Sequence, residues 1–204
     1  MLACAVLALA GCATHYLDIA EVRERPDGSQ VTLRGVVTVP FGAIGEYIAV
    51  QDATGGIAVV RPGWNPEFPG TAAVGSQIEV AGRLLLRDGQ LAVEPTWYRH
   101  RGSAVPAIRP LRTGEVGPAN EGTLVAVAGR LVRPPLDDAP WGWKLFVDDG
   151  SGELLVFVAP GTGISVASLS AGLHLQITGY SGRYSGHAEL LPRSPADLVA
   201  IGLR

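Results

Sequence analysis

A chain of 204 residues in which 47% of the side chains are apolar and 17% are charged is too hydrophobic to remain disordered. Its 27 glycines and 15 prolines predict many turns and few long helices, and therefore an all-β protein. Sixteen basic and nineteen acidic residues give a formal charge of −3, so the chain is not the strongly basic domain that would indicate a polyanion binder.

The chain begins with an uncharged apolar run, MLACAVLALAGC, that ends in small residues as a secretory signal peptide does. Its last four residues, Leu9 to Cys12, resemble the lipobox of bacterial lipoproteins at all four positions. The resemblance implies a signal peptide over residues 1–12 that ends at Cys12, which carries the lipid. A buried first strand or helix is the alternative interpretation.

The lipobox also implies where the protein resides. We expect an extracytoplasmic protein that is lipid-anchored to the cell envelope, and Ala13 favours the outer membrane if the cell is Gram-negative. Because Cys4 is removed with the signal peptide, we expect neither a disulfide nor a cysteine-based metal site. No later run of about 20 apolar residues predicts a membrane-spanning helix.

After the signal, two halves of the chain repeat each other. Asp52 and Asp149 are 97 positions apart, and the same spacing separates Gly55 from Gly152, Gly75 from Gly172, Gly82 from Gly179, Gly89 from Gly186 and Pro95 from Pro192. Further upstream the spacing is 94, as between Gly35 and Gly129, so the second copy contains three extra residues. They fall in PPLDDAPWGW, which is predicted to be a loop. The repeat predicts two copies of one domain.

Each copy contains five predicted strands. In the first copy, QVTLRGVVTV is followed by a hairpin of EYIAVQD and GIAVVR, a Pro-rich crossing, and a second hairpin that turns at Asp88-Gly89. The second copy repeats this order with TLVAVAGRLV, WKLFVDD, GELLVFV, a crossing at 159–172 and HLQITGYSGRYSGHAELLP. Strand, hairpin, crossing and hairpin are the elements of the OB-fold, a five-stranded Greek-key barrel.

The predicted fold class is therefore all-β, with two tandem five-stranded OB-fold Greek-key barrels. We expect domain 1 over residues 16–104 and domain 2 over residues 105–204, joined by a short linker near 102–110. Glycines recur inside the first and fourth strands of each copy, where a small barrel needs sharp bends to close: Gly35, Gly82, Gly129 and Gly179.

Longer phrases resemble a known family. DIAEVRERPDGSQVTLRGVVT followed by YIAVQDATGGIAVV, and FVDDGSGELLVFV with AELLPRSPADL, are similar to bacterial extracytoplasmic OB domains found singly or in tandem in secreted nucleases and in lipoproteins. The phrases cover nearly all of the chain after the signal. The resemblance implies a tandem OB-fold lipoprotein of the nucleic-acid-binding type, although one fold hosts many activities.

Catalytic motifs are missing from the sequence. Four scattered histidines, at positions 15, 100, 174 and 187, have no partner at metal-ligand spacing, and neither HExxH nor GxSxG occurs. PGTGIS lacks the lysine of a phosphate loop, and DDGSGE is better explained as a hairpin turn than as a calcium loop. We expect no enzyme activity, no metal and no cofactor.

Ligands of OB barrels usually bind across the second and third strands. Alternation predicts that Ile48, Val50, Ile57 and Val59 point into barrel one, so that Tyr47, Ala49, Ala58 and Val60 face outward. The equivalent outward residues of copy two are Lys144, Phe146, Leu155 and Phe157, next to Trp141 and Trp143 in the enlarged loop. Two interpretations stay open at this stage: these aromatic residues stack a ligand, or they pack against the other barrel or a partner.

A second aromatic and basic segment is WYRHRG, residues 97–102. Trp97, Arg99 and Arg101 either flank a binding groove or form a solvated strand end. The full set of candidate ligand-binding residues is Tyr47, Trp97, Arg99, Arg101, Trp141, Trp143, Lys144, Phe146 and Phe157.

The sequence therefore predicts a non-catalytic, lipid-anchored binding module for nucleic acid or another extended polymer. The expected partners are single-stranded nucleic acid or an oligosaccharide, the membrane through the lipid anchor, and envelope proteins. The alternative is a structural lipoprotein that mediates protein contacts in the envelope, and a third hypothesis is an accessory or degenerate secreted nuclease.

Overall fold

The computed structural model describes residues 15–63, 65, 68, 72–87 and 89–202. The predicted signal peptide, Cys12 and the turn residue Asp88 lie outside the described residues. Among the residues that are described, no helix has both the length and the apolar character needed to cross a membrane.

The described residues are almost entirely strands and turns. Besides the five-residue helix α1 (Ile19–Arg23), 3-10 turns occur at 113–115, 118–120, 160–162 and 195–197. The strands are β1 (Gln30–Val39), β2 (Tyr47–Gln51), β3 (Gly56–Val60), β4 (Ser76–Arg87), β5 (Gln90–Ser103), β6 (Arg109–Pro110), β7 (Leu124–Leu131), β8 (Leu136–Asp137), β9 (Trp143–Asp148), β10 (Leu154–Val158), β11 (His174–Tyr184), β12 (His187–Leu191) and β13 (Leu198–Ala200).

Ten of these strands form two closed barrels of the same topology. Barrel one has the strand order β1-β2-β3-β5-β4, and β4 pairs with β1 to close it. Barrel two has the order β7-β9-β10-β12-β11, closed by pairing of β11 with β7. In each barrel the third and fifth strands are parallel, while all the other pairs are antiparallel. The chain thus forms two OB-fold Greek-key barrels, as the sequence predicts.

The predicted strand glycines lie where neighbouring backbones come closest. A Cβ atom at Gly35 would be 2.7 Å from the carbonyl oxygen of Gln51, and one at Gly82 would be 2.2 Å from that of Glu94. In barrel two, a Cβ atom at Gly179 would be 2.8 Å from the carbonyl oxygen of Leu191. A side chain at these positions would hold apart the strands that close each barrel, which explains the matched glycines.

Each barrel has its own apolar core. The alternation predicted for β2 and β3 is confirmed, because Ile48, Val50, Ile57 and Val59 are all fully buried in the core of barrel one. Barrel two is filled in the same way by inward side chains of its five strands, which include Val127, Leu145, Val156, Ile177 and Leu190.

Equivalent aspartates stabilise the turn between the second and third strands of each barrel. Asp52 accepts hydrogen bonds from the backbone N–H groups of Thr54 (2.7 Å), Gly55 (2.9 Å) and, from α1, Ile19 (2.8 Å). Asp149 accepts from the hydroxyls of Ser151 and Thr113, and these bonds hold the pKa of its carboxyl well below the usual range. DDGSGE therefore forms an Asx-assisted turn.

The enlarged loop of copy two contains more regular secondary structure than the sequence predicts. Part of it forms β8, which pairs with the start of β9 through Leu136 with Lys144 and Asp137 with Trp143. The prediction of a loop throughout PPLDDAPWGW is therefore wrong at Leu136 and Asp137. The three extra residues lengthen the connection enough for it to fold back onto β9.

Part of the outward apolar face of barrel one packs against barrel two. Val39 and Ala49 form a buried cluster with Tyr180 and Leu191 of barrel two. Hydrogen bonds extend the contact: the Arg193 guanidinium donates to the carbonyl of Thr38 (2.6 Å), and the N–H of Leu124 donates to Oε1 of Gln51 (2.8 Å). Packing between the barrels thus accounts for the outward apolar residues of β2.

Candidate ligand-binding cleft

A cleft of about 610 Å³ lies between the two barrels, within the usual size range of ligand pockets. Its floor is the outer face of β9, β10 and β12 in barrel two, and its opposite wall is the loop between β1 and β2 of barrel one. Its aromatic, charged and strand-face lining residues include Tyr47, Asp138, Trp141, Lys144, Leu155, Phe157, Tyr184 and Glu189.

Strand pairing sets the pattern of the floor. Lys144 of β9 is opposite Phe157 of β10, and Leu155 of β10 is opposite Glu189 of β12. All four residues line the cleft because residues directly opposite in a sheet project from the same face. The floor therefore combines two apolar side chains in the middle strand with a cation on one side and a carboxylate on the other.

The enlarged loop supplies the most exposed aromatic side chain of the cleft. Trp141 is 70% exposed, and its backbone N–H donates to the carbonyl of Asp138 (2.8 Å) in the turn between β8 and β9. The same turn is closed by a hydrogen bond from the N–H of Asp138 to the carbonyl of Gly142 (3.0 Å). The extra residues of copy two thus place an indole ring at the rim of the floor.

Barrel one contributes the other wall through the loop of residues 42–45. This loop is stabilised by a hydrogen bond from the N–H of Gly42 to the carbonyl of Gly45 (3.0 Å). It also approaches barrel two closely, because a Cβ atom at Gly161 would lie 2.9 Å from the carbonyl oxygen of Gly42. Tyr47, at the start of β2, lines the cleft beside the loop, and its ring centroid is 6.0 Å from that of Tyr180.

Three charged side chains line the cleft. The ammonium of Lys144 lies 2.8 Å from Oδ1 of Asp138. Glu189 is only 9% exposed, and among the described residues its carboxyl has no hydrogen-bond or ion-pair partner. Burial raises the pKa of Glu189 to about 7, against a smaller opposing effect of Lys144. A largely buried carboxyl with a raised pKa in a cleft is a feature typical of binding sites.

The structure brings together four of the nine predicted residues: Tyr47, Trp141, Lys144 and Phe157 line the cleft. Phe146 is opposite Leu155 on the same face of the sheet but does not line the cleft, and the guanidinium of Arg133 lies 3.7 Å from its ring centre. Trp143 packs partly against the core of barrel two and lines a separate small cavity.

The remaining three predicted residues lie on β5 of barrel one and do not line the cleft. Arg99 and Arg101 both pair with Glu79 of β4, at 3.0 Å and 2.8 Å, and the Arg99 guanidinium is 5.5 Å from the ring centre of Trp97. Hydrogen bonds from Arg101 and Arg99 lower the pKa of Glu79 to about 2. This carboxylate offsets part of the positive charge in the segment.

Glu189, Tyr184 and Asp138 are cleft residues that were not predicted from the sequence, and Glu189 is the one for which the repeat contains a signal. In copy one the equivalent residue is Ala92, because Ala92 is opposite Ala58 of β3 just as Glu189 is opposite Leu155 of β10. Alignment of the two copies therefore shows a carboxylate in copy two where copy one has an alanine, and this difference could have identified Glu189 as a candidate site residue. Because Glu189 lies between apolar residues, the segment was interpreted only as a core strand.

No cluster of three or more histidine, cysteine, aspartate or glutamate side chains suitable for a metal ion occurs in the part of the chain that the structure describes.

Comparisons with known proteins give structural similarity only. No protein-family model and no curated protein sequence matches the chain. Among solved structures, the hypothetical protein ygiW from E. coli is 17% identical, with a TM-score of 0.37 over 43% of this chain and 91% of its own. A murine DNA binding protein solved with double-stranded DNA is 13% identical, with a TM-score of 0.43 over 85% and 97% of the two chains. The Ifi202 HINa domain, solved with a 20 bp duplex, is 15% identical, with a TM-score of 0.38 over 81% and 92%. Likenesses this distant carry no argument about function.

Proposed function

We propose that the protein is a non-catalytic binding module that holds a segment of nucleic acid or another extended polymer in the cleft between its barrels. One observation carries the proposal. Four aromatic side chains, those of Tyr47, Trp141, Phe157 and Tyr184, converge on one cleft across the strand face that OB-folds use for oligonucleotides and oligosaccharides.

Stacking supplies the binding free energy in this proposal. Trp141 and Tyr184 are 70% and 65% exposed, so their ring faces are accessible to a planar base or to the flat face of a sugar. A base stacked on an aromatic side chain contributes about 1 to 3 kcal/mol. Two stacked rings then give weak to moderate affinity without a basic surface.

The titratable groups of the cleft are more consistent with ligand binding than with catalysis. Its titratable groups are Asp138, Lys144 and Glu189 together with two tyrosines, and the lysine is paired with the aspartate. A nucleophile hydrogen-bonded to a base, which covalent catalysis requires, is not among them.

Attachment to the envelope is part of the proposal. Lipid on Cys12 would hold both barrels at an extracytoplasmic membrane surface, as the lipobox resemblance implies. Growth of cells with a radiolabelled fatty acid tests this directly: wild-type protein takes up label, and Cys12→Ala does not. Equal labelling of the two proteins would contradict the anchor.

The scaffold alternative depends on a surface that is partly occupied within the chain. That hypothesis drew on the apolar outer face of copy one, and Val39 and Ala49 of this face are fully buried against barrel two. Ala58 and Val60 of the same face cluster instead with Ala92 of barrel one, so barrel two covers only part of this surface.

Binding is tested by titrating single-stranded DNA and neutral oligosaccharides into the protein at low salt while tryptophan fluorescence is recorded. We expect Trp141→Ala to weaken binding about 5- to 150-fold, the equivalent of one lost stacking contact. Trp97→Ala is the matched control, because Trp97 is a partly exposed tryptophan outside the cleft. Absence of binding by every polymer, or equal loss in both variants, would contradict the proposal.

A further inference from the structure

We propose that the unit bound in the cleft is a sugar ring without anionic substituents, which donates a hydrogen bond to Glu189 while it stacks on the aromatic side chains. This inference rests on the proposed function and names the class of polymer. It is carried by the position of the Glu189 carboxyl, by the charges around it and by the absence of arginine from the described lining.

Glu189 is built into the floor rather than placed at its rim. It lies in the middle of β12, between Leu155 of β10 on one side and Gly182 of β11 on the other. The glycine contributes no side chain that could form a hydrogen bond with it. Glu189 is 9% exposed, and no described side chain or backbone group donates a hydrogen bond to its carboxyl, which therefore stays available as an acceptor for a ligand in the cleft.

The other charged groups at the cleft do not neutralise Glu189. Lys144 on β9 is the cation of the lining, and its ammonium is 2.8 Å from the carboxylate of Asp138. The remaining titratable groups that line the cleft are the hydroxyls of Tyr47 on β2 and Tyr184 on β11, while the exposed His187 lies two residues away on β12. With Glu189 ionised, the lining carries one more negative than positive charge.

This charge disfavours a nucleic acid strand, in which every nucleotide adds a phosphate. Arginine is the side chain best suited to pair with phosphate, and none of the described residues that line the cleft is an arginine. A nucleotide in the cleft would bring its phosphate near two carboxylates with one shared lysine to offset them. A polymer of neutral sugars avoids this repulsion.

The combination of ring faces and a carboxylate suits a sugar. A pyranose presents apolar C–H groups on one face, which pack on aromatic rings, and hydroxyls at its edge, which donate to an acceptor. Phe157 and Leu155 form the apolar part of the floor, and Glu189 lies directly beside Leu155. One ring can therefore stack and reach the carboxyl at the same time.

The protonation of Glu189 predicts that affinity changes with pH in opposite directions for a neutral and an anionic probe. Burial raises the pKa of Glu189 to about 7, so the carboxyl becomes fully charged only above neutral pH. A charged acceptor forms stronger hydrogen bonds with hydroxyls, so affinity for a neutral oligosaccharide rises with pH. Affinity for a uronate oligosaccharide falls over the same range, because like charges repel.

The experiment measures affinity by calorimetry from pH 5.5 to 8.5 with three probes: an N-acetylglucosamine oligomer, a galacturonate oligomer and oligothymidylate. For the wild type at pH 8 we expect the neutral sugar to bind about tenfold or more tightly than either anionic probe. Glu189→Gln should remove the opposite pH slopes and improve binding of the galacturonate oligomer. Glu94→Gln, at an exposed carboxylate of barrel one, is the matched control and should change neither.

The outcomes separate this inference from the proposed function. If oligothymidylate binds most tightly and Trp141→Ala weakens it, the sugar assignment is wrong while the binding module stands. Identical pH slopes in wild type and Glu189→Gln would also overturn the role of Glu189. If none of the probes binds in a Trp141-dependent manner, the proposed function itself fails.

Discussion

Replacement of Glu189 by glutamine should stabilise the protein in a pH-dependent way. The wild-type carboxyl is buried beside Leu155, and among the described residues it has no hydrogen-bond partner, so ionisation in the folded state is unfavourable. Glutamine has nearly the same shape and never carries the charge. The substitution therefore removes the cost of ionisation and leaves the packing of β12 in place.

The magnitude follows from the pKa. Burial raises the pKa of Glu189 from 4.5 to about 7, and each tenfold change in proton affinity corresponds to about 1.4 kcal/mol. Between these two values the folded state binds the proton more tightly than the unfolded state, so wild-type stability falls as pH rises through this window. Relative to wild type, the variant should gain about 3 kcal/mol between pH 4 and pH 8.

Urea unfolding of both proteins at a series of pH values measures this difference. Glu79→Gln provides a control of opposite sign, because Arg101 and Arg99 lower the pKa of Glu79 to about 2. The contribution of Glu79 is present above about pH 4.5 and is lost as pH falls toward 2, so its variant should be destabilised mainly at neutral pH. A stability difference between Glu189→Gln and wild type that stays constant from pH 4 to pH 8 would refute the reasoning.

Three further predictions concern stability and are measured by urea unfolding at pH 7. Gly35→Ala should cost about 1 to 3 kcal/mol, because the new Cβ would lie 2.7 Å from a backbone oxygen of β2; Gly63→Ala, where nothing lies within 4 Å, should be nearly neutral. Leu191→Ala should cost about 2 to 5 kcal/mol by opening a cavity between the barrels, and an effect below 1 kcal/mol would contradict the buried interface. Arg193→Gln should cost about 3 to 5 kcal/mol, because it leaves the buried carboxylate of Asp197 without its guanidinium at 2.7 Å, and unchanged stability would refute this.

The sequence was sufficient to predict the barrels because the information lies in local periodicity. Alternation in β2 and β3 places Ile48 and Val59 inside, and the matched glycines indicate where strands meet to close each barrel. These signals depend on neighbours along the chain or on the repeat. They do not depend on how the two barrels are oriented.

The interface between the barrels could not be predicted in the same way. In the sequence, outward apolar residues such as Ala49 and Phe157 are equally compatible with ligand binding and with packing. In the structure, the environments of these two residues differ from each other. Ala49 is fully buried against barrel two, whereas Phe157 packs partly against the same cluster and also lines the cleft. Only the relative placement of the barrels distinguishes the two.

Contacts of charged side chains with residues distant in the chain also could not be predicted from the sequence. The segment with Arg99 and Arg101 looks strongly basic when read alone, yet both guanidinium groups pair with Glu79 from the neighbouring strand. Phe146 likewise looks free to stack until Arg133 is seen to cover its ring. In each case the partner is at least thirteen residues away in the chain and is brought close only by the folding of the barrel.

The most direct test of the binding site is a backbone amide NMR titration with an N-acetylglucosamine oligomer and, separately, with oligothymidylate. The account predicts that whichever polymer binds will shift amides of β9, β10 and β12 together with those of residues 42–45, so that both walls of the cleft respond. Shifts confined to β4 and β5 around Trp97 and Arg99, with the cleft unchanged, would contradict it.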